Sequence, residues 1–133
     1  MKQGNQRLLG RDFREQVSTE QWLTIEENQF NPPSSTLVFY LAFAPEMKLK
    51  LDKAQIEKSE RDLINVLEVY EQRLSKNRFL AGEEFTLADL SHLPNSHYII
   101  NETDRGYLFS DRKNVSRWWE EISNRPSWKK VLG

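Results

Sequence analysis

The sequence contains no cysteine among its 133 residues. It therefore offers no thiolate nucleophile, no disulfide and no cysteine ligand for a metal ion. An excess of charge of one sign is lacking as well, because 19 basic and 20 acidic residues leave a formal net charge of -1. This balance provides no electrostatic attraction to nucleic acid or to an anionic membrane, so neither is expected as a partner.

Long apolar runs are also missing from the chain. No stretch approaches the roughly 20 apolar residues that a membrane-spanning helix needs, and the polar start lacks the apolar segment of a secretion signal. We therefore expect a soluble protein with a cytoplasmic location. The length predicts one domain over residues 11–133, and the polar, glycine-containing residues 1–10 are interpreted as a linker that precedes it.

The spacing of the apolar residues predicts an all-α fold of about five helices. A first long helix is expected from Asp12 onward, with a kink or break at Asn31–Pro33, because proline lacks the N–H donor and restricts the residue before it. A second long helix is predicted over residues 53–76 as an amphipathic helix. Its buried face is expected to comprise Ile56, Leu63, Leu67, Tyr70 and Leu74.

Three further features of the helical pattern lead to specific expectations. The run from Leu37 to Ala44 is apolar on almost every side and by itself fits a buried strand or a buried helix, although its helical neighbours favour a helix. Pro94 lies within the helix predicted to follow Thr86, which it is expected to bend. Asp111 is expected to open a shorter helix near the end of the chain.

The pair Thr86 and Asp89 has the spacing of a capping box, in which the two side chains satisfy backbone groups at the start of a helix. We assign this pair a structural role rather than a catalytic one. His92 and His97 are five residues apart, which is the wrong spacing for two metal ligands on one helix face. No metal site is expected.

The segment from Phe79 to Leu90 carries the most specific pattern in the chain. It reads as an aromatic residue, Leu-Ala-Gly, two variable residues, an aromatic residue and then Thr-Leu-Ala-Asp. This pattern resembles the signature of the glutathione transferase C-terminal domain. Gln29–Pro33 and Arg125–Leu132 are similar to the plant phi class of that family. The resemblance extends over about residues 8 to 132 and implies the helical bundle of that domain.

The resemblance also implies an activity and the parts that it requires. Glutathione transferases of this class conjugate glutathione, as co-substrate, to hydrophobic electrophiles in detoxification. In the family, a thioredoxin-like N-terminal domain binds the glutathione and supplies a serine that stabilises its thiolate, and the resemblance implies that this domain is absent from the present chain. The resemblance therefore implies no catalytic residue in this chain, which alone is expected to be inactive.

The resemblance also implies that the helical domain supplies most of the pocket for the electrophile. Phe39 and Phe43 are four residues apart and share a helix face, and a pocket for an electrophile is apolar and concave. By resemblance, Phe39, Phe43 and Tyr98 match positions that line this pocket. The alternative interpretation is that all three are ordinary core residues.

Two functions remain open at this point. The chain is either the electrophile-binding part of a glutathione transferase or a non-catalytic module, derived from such an enzyme, that binds ligands or proteins. The family implies homodimers as well. Much of that contact joins the N-terminal domain of one subunit to the helical domain of the other, so the same dimer is not expected from this chain.

Overall fold

A computed structural model describes residues 8–133, so most of the linker expected over residues 1–10 lies outside the described residues. The described part of the chain is helical and has no strand, which confirms the all-α prediction. In chain order the α-helices are α1 (Phe13–Ile25), α2 (Asn31–Val38), α3 (Lys53–Leu74), α4 (Leu87–Leu90), α5 (Leu93–Glu102), α6 (Tyr107–Ser110), α7 (Lys113–Ser123) and α8 (Pro126–Leu132).

Five of the helices between residues 8 and 133 have eight residues or more, in line with the expected number. The remaining helices α4, α6 and α8 are short. No helix of the described residues is both long enough and apolar enough to cross a membrane.

The expected interruption of the first long helix is confirmed, and it is a π-helical turn. Helix α1 ends at Ile25, the residues Glu26–Phe30 form the π turn, and α2 begins at Asn31 with Pro32 and Pro33 in its first positions. The two prolines cannot donate hydrogen bonds to the preceding turn, which leaves that turn free to widen. The helix therefore changes geometry just before the prolines, while the first turn of α2 accommodates them.

The apolar run after Pro33 is helical, which settles the choice between strand and helix. Helix α2 continues into a second π turn over Phe39–Phe43. The Ala44 amide donates to the Phe39 carbonyl at 2.7 Å, five residues back. This wider turn leaves Phe39 and Phe43 about two-fifths exposed, whereas Leu37 and Val38 are buried.

Helix α3 passes through the centre of the domain and packs against α2 and α7. All five residues expected on its buried face are indeed buried. Tyr70 lies at the middle of an aromatic cluster, with ring centroids 6.1 Å from Trp22, 6.0 Å from Phe30 and 6.0 Å from Trp118. The predicted amphipathic helix is therefore the core of the domain, and its buried face joins helices from both halves of the chain.

The sequence predicts a single bent helix after Thr86. This prediction is wrong, because the chain forms two helices there. Helix α4 ends at Leu90, the residues Ser91 and His92 form a turn, and α5 begins at Leu93. Pro94 occupies the first turn of α5, where no backbone N–H is needed for the helical ladder. The proline thus starts a new helix instead of bending an existing one.

The start of α7 is capped from another helix, and Asp111 does not open it. Helix α7 begins at Lys113, and its N-cap residue Arg112 has no capping side chain of its own. The Glu71 carboxylate on α3 accepts from the Asn114 and Val115 amides at 2.9 Å each, and from the Asn114 side-chain amide at 2.7 Å. Burial raises the pKa of Glu71, but these bonds outweigh it and hold the pKa below its ordinary value.

We expect Glu71→Gln to lower the free energy of unfolding by about 1 to 2 kcal/mol at neutral pH, because the start of α7 loses its charged cap. A carboxyl whose pKa is lowered in the native state stabilises above its unfolded pKa, and this contribution is lost as the pH falls through the native value. The difference between wild type and variant should therefore shrink below about pH 4.5.

Glu68→Gln is the matched control for this experiment, measured by urea unfolding. Glu68 is on the same helix and forms one exposed ion pair with Arg112 at 2.9 Å. Its loss should cost less than about 1 kcal/mol. Equal losses in the two variants would contradict the role assigned to Glu71.

Candidate functional site

The buried carboxylate of Asp89 joins three separate parts of the chain. Its Oδ2 accepts from the Thr86 amide at 3.0 Å, and its Oδ1 accepts from the Leu80 amide at 3.1 Å and from Trp118 Nε1 at 2.8 Å. The Thr86 hydroxyl accepts from the Ala88 amide at 3.2 Å, so the pair caps α4 as expected. The bonds to Leu80 and Trp118 are additional, because they connect this cap to the preceding loop and to α7.

The Asp89 side chain has no solvent-exposed surface, and its carboxylate oxygens have no free position for a catalytic contact. Burial raises its pKa from 3.8 to about 6, while the bonds from Thr86, Trp118 and Leu80 oppose that rise. Both oxygens are occupied by donors from the protein itself. The geometry therefore supports the structural role that the sequence predicted for Thr86 and Asp89.

The loop before α4 is held by three further side chains. The Ser18 hydroxyl donates to the Ala81 carbonyl at 2.8 Å, and Arg73 Nε donates to the Leu80 carbonyl at 2.8 Å. Arg117 donates to the Arg78 carbonyl at 3.0 Å. Side chains of α1, α3 and α7 thus satisfy the carbonyl groups of one loop, which explains how this non-helical segment lies against the core.

His92 is fully buried beside this cap, and its hydrogen bonds determine its tautomer. Its Nδ1 lies 2.7 Å from the Ala88 carbonyl, which can only accept, so Nδ1 carries the proton. Its Nε2 lies 2.7 Å from the Tyr70 hydroxyl and therefore accepts from it. Burial lowers the pKa of His92 to about 3, which keeps the ring neutral at physiological pH.

Aromatic rings surround His92 and leave it no access to a ligand. Its ring centroid lies 4.5 Å from Phe30, 5.1 Å from Tyr70 and 5.2 Å from Trp118. Within residues 8–133 no group of three or more histidine, aspartate or glutamate side chains could hold a metal ion. His92 is therefore a packed histidine, and its bond to Tyr70 connects α3 to the start of α5.

The three residues predicted to line an electrophile pocket lie at the two ends of the second π turn, which are Phe39 and Phe43, and on α5, which carries Tyr98. Phe43 and Tyr98 pack edge to face, with ring centroids 5.2 Å apart. Phe39 packs instead against its neighbour Tyr40 at 5.1 Å. Phe39, Phe43 and Tyr98 are 41%, 40% and 37% exposed, so none of them is an ordinary core residue. We call these three residues together with Tyr40 the aromatic surface.

The sequence analysis missed Tyr40, and no signal in the sequence distinguishes it from its neighbours. In a regular α-helix the spacing of four residues groups Phe39 with Phe43 alone. The π turn widens the helix at this point, and Tyr40 becomes the ring that Phe39 contacts. This widening arises in the folded chain and is not encoded in the residue spacing.

Comparison with known proteins identifies the family to which this fold belongs. Residues 30–126 match the glutathione S-transferase C-terminal domain family. This match covers most of the chain, so the chain belongs to that family. Its relatives are phi-class glutathione transferases of plants, which confirms the resemblance that the sequence suggested.

The relatives are similar along nearly the whole chain. Glutathione S-transferase F10 of Arabidopsis thaliana is 44% identical over 124 residues, which is 93% of this chain and 58% of that protein. The crystal structure of glutathione transferase F2 from Populus trichocarpa is 54% identical with a TM-score of 0.92, covering 94% of this chain and 58% of that one. Glutathione S-transferase I from mais, solved with an atrazine glutathione conjugate, is 29% identical with a TM-score of 0.86, covering 94% and 59%. The chain thus spans about three-fifths of the length of these relatives.

We expect Asp89→Ala to destabilise the domain more than the loss of one ordinary cap. The substitution leaves three donors without their acceptor, and each buried unpaired group costs about 1 to 3 kcal/mol. Thr86→Ala removes one capping acceptor and should cost only about 1 kcal/mol. Thermal and urea unfolding of both variants would test this order, and a larger loss for Thr86→Ala would contradict it.

A second expectation concerns the neutral His92. In the unfolded chain this histidine takes up a proton near its ordinary pKa of 6.5, whereas the native state resists protonation until about pH 3. Its lowered pKa therefore stabilises the fold above about pH 6.5, and that stability is lost as the pH falls. The free energy of unfolding of wild type minus that of His92→Gln should drop by about 2 kcal/mol between about pH 7.5 and pH 5.

The comparison with His92→Gln is needed because Asp89 acts in the opposite direction. Its raised pKa makes the native state hold a proton more tightly than the unfolded chain, so its contribution falls as the pH rises from about 4 to about 6. The glutamine amide keeps an acceptor for Tyr70 but does not titrate. A difference between wild type and variant that does not change with pH would contradict the buried, neutral state of His92.

Proposed function

We propose that this chain is the electrophile-binding domain of a phi-class glutathione transferase, with the aromatic surface as the protein wall that the electrophile contacts. The observation that carries the proposal is the pairing of Phe43 and Tyr98 across two helices with part of each ring exposed. Apolar rings that remain accessible at a helix junction are suited to an apolar ligand. The wider activity is conjugation of glutathione to hydrophobic electrophiles in the cytoplasm, as detoxification.

The same proposal assigns the thiolate chemistry to another domain. Glutathione has a thiol that must lose its proton to attack, so a donor or cation has to stabilise the thiolate. Asp89 and His92, two central side chains with strongly shifted pKa values, are buried and bonded to protein atoms. Neither can approach a thiol, which supports a division of labour in which a thioredoxin-like domain binds glutathione.

The substrate class follows from relatives rather than from this chain. Glutathione S-transferase I was solved with lactoylglutathione and, separately, with an atrazine glutathione conjugate. Both are glutathione conjugates, so conjugates of this kind are the reasonable first ligands to test here. Apolar surfaces discriminate weakly between similar ligands. The proposal therefore does not depend on one particular natural electrophile.

A second candidate function is a non-catalytic module that binds a protein partner. It is favoured by apolar side chains that the described residues leave exposed away from the aromatic surface. Phe13 is 80% exposed and Val17 52% on α1, and Val131 is 74% exposed on α8. Exposed apolar side chains of this kind mark interaction surfaces when they form a patch. The two candidates differ in whether supplying the glutathione-binding domain produces turnover.

The test is to fuse the thioredoxin-like domain of a phi-class relative to the start of this chain and to measure conjugation of an apolar aromatic electrophile. We expect no turnover by the chain alone and turnover by the fusion. In the fusion, Phe43→Ala should raise KM about five- to thirtyfold, because a lost apolar contact of 1 to 2 kcal/mol corresponds to that factor. Val69→Ala is the matched control, since Val69 is 45% exposed on α3, outside the aromatic surface.

The outcomes of this experiment separate the two candidates. Turnover by the pure chain would contradict the division of labour, because no thiolate-stabilising group has been assigned to it. A folded fusion that binds glutathione but does not conjugate would favour the non-catalytic module. An unchanged KM in Phe43→Ala would remove the aromatic surface from the proposal while leaving the family membership intact.

A further inference from the structure

A cluster of polar side chains lies between α2 and α5, beside the aromatic surface. We call it the polar cluster, and its members are Asn31, Ser34, Ser35 and Asn95. Ser35 precedes Phe39 by four residues, and Asn95 precedes Tyr98 by three. Residues at these spacings share a helix face, so the polar cluster and the aromatic surface adjoin along both helices.

Both hydroxyl hydrogens of the polar cluster are donated to Asn31. The buried Ser34 hydroxyl donates to the Asn31 backbone carbonyl at 3.2 Å. The Ser35 hydroxyl donates to Asn31 Oδ1 at 2.9 Å. A hydroxyl has one hydrogen, so the oxygens of the two serines can only accept from a further neighbour. Ser34 and Ser35 therefore present lone pairs alone to Asn95.

The neighbours of Asn95 determine which way its side-chain amide is turned. Asn95 Nδ2 lies 3.0 Å from Ser34 Oγ, 3.0 Å from Ser35 Oγ and 3.1 Å from Asn31 Oδ1. These three oxygens can only accept here, and only the nitrogen of the Asn95 amide carries hydrogens to donate. Asn95 Oδ1 therefore points away from the polar cluster. Asn31 Oδ1 faces the donors of Ser35 and Asn95, so Asn31 Nδ2 points away as well.

The polar cluster thus turns one donor group and one acceptor outward. Among residues 8–133, Asn31 Nδ2 and Asn95 Oδ1 have no hydrogen-bond partner, and Asn31 is exposed while Asn95 is half-buried. The oxygen and nitrogen of one amide are about 2.3 Å apart, so the two outward atoms are separated by no more than about 8 Å. One ligand amide with hydrogen bonds of about 2.9 Å on both sides can span that distance.

We infer that Asn31 and Asn95 form a hydrogen-bonding subsite for an amide group at the polar end of the aromatic surface. The carbonyl oxygen of the ligand accepts from Asn31 Nδ2, and its N–H donates to Asn95 Oδ1. The apolar part of the ligand packs against Phe39. This inference rests on the proposed function and deepens it, because it names the polar group that the site recognises, whether in the electrophile or in the peptide part of glutathione.

The internal bonds of the polar cluster are what make it selective. They hold both side-chain amides in one orientation before a ligand arrives, so little conformational freedom is lost on binding. A fixed donor beside a fixed acceptor favours a group with the complementary pair over a group that has only half of it. An amide has both halves, whereas a ketone has the acceptor alone and a hydrocarbon has neither.

The test uses three uncharged probes of one shape with the chain in its full length. They are 2-naphthamide, 2-acetylnaphthalene, which has a methyl group in place of the amide nitrogen, and the hydrocarbon 2-isopropylnaphthalene. Equilibrium dialysis gives the dissociation constant of each. A neutral hydrogen bond changes an affinity by a factor of about two to twelve, so the loss of one contact is measurable.

Asn31→Asp keeps Oδ1 for Ser35 and Asn95 but replaces the outward N–H donors with a second oxygen. We expect it to weaken binding of 2-naphthamide and of 2-acetylnaphthalene by about threefold or more, since both present a carbonyl oxygen. Binding of 2-isopropylnaphthalene should not change. Asn95→Ala removes the outward acceptor and should lower the ratio of amide to ketone affinity by about threefold to tenfold.

Asn65 provides the matched controls, because it is exposed on α3 and belongs neither to the polar cluster nor to the aromatic surface. Asn65→Asp and Asn65→Ala make the same changes of charge and size and should alter no affinity. Circular dichroism of each variant verifies that the helical fold is retained. If Asn95→Ala does not fold, Asn31→Asp decides alone. Equal effects of Asn31→Asp on ketone and hydrocarbon, or effects no larger than those of Asn65→Asp, would overturn the subsite.

The two sources of the amide are separated in the fusion with the thioredoxin-like domain. Asn31→Asp is measured there with 4-chloro-3-nitrobenzamide and 4-chloro-3-nitroacetophenone, two electrophiles that differ as the amide and ketone probes do. A raised KM for these electrophiles, with KM for glutathione unchanged, assigns the subsite to the electrophile. A raised KM for glutathione alone assigns it to the peptide part of glutathione. No change in any of the three KM values would overturn the subsite.

Failure of this inference can be distinguished from failure of the proposed function. If Asn31→Asp changes neither probe binding nor KM while Phe43→Ala still raises KM, the subsite is wrong and the proposed function stands. If Phe43→Ala leaves KM unchanged while Asn31→Asp weakens only the probes with a carbonyl, the aromatic surface is wrong and the subsite stands. If none of the three probes binds to the chain, the subsite is overturned.

Discussion

The hydrogen bonds accepted by the Asp89 carboxylate are the interactions on which the rest of the domain depends. The carboxylate is buried, and its two oxygens accept from the loop before α4, from the start of α4 and from the indole of α7. A carboxylate taken out of water must be matched by donors, and here one donor of the same cap, one of the preceding loop and one of α7 supply them. The geometry at the start of α4 therefore also determines where Leu80 and Trp118 lie.

The neutral His92 extends this arrangement to the central helix. It donates to the Ala88 carbonyl one residue before Asp89, and it accepts from Tyr70 on α3. Trp118 contacts His92 with its ring and Asp89 with its Nε1, so the two buried polar groups share one neighbour. Such a network specifies a single packing because each polar atom needs its own partner in a medium of low dielectric constant.

The residues with strongly altered ionisation are thus not those suited to ligand binding. Asp89 and His92 are sealed in the core, whereas Phe39, Phe43 and Tyr98 keep more than a third of their surface exposed. A perturbed pKa often indicates a functional site, but a buried structural network perturbs ionisation in the same way. The distinction here rests on access to the side chain. A group that is surrounded by rings and hydrogen-bonded to protein atoms cannot contact a substrate.

Several features of this domain follow from the amino-acid sequence alone. The amphipathic spacing of α3, the capping pair Thr86 and Asp89 and the family resemblance depend on local patterns, and local patterns can be recognised without coordinates. The contribution of Glu71 to the start of α7, the partners of His92 and the position of Tyr40 depended on the tertiary structure. Each of these joins residues far apart in the chain or follows from a π turn, and helical periodicity contains no information about either. Sequence thus determined which segments are helical, and packing decided which of their side chains meet.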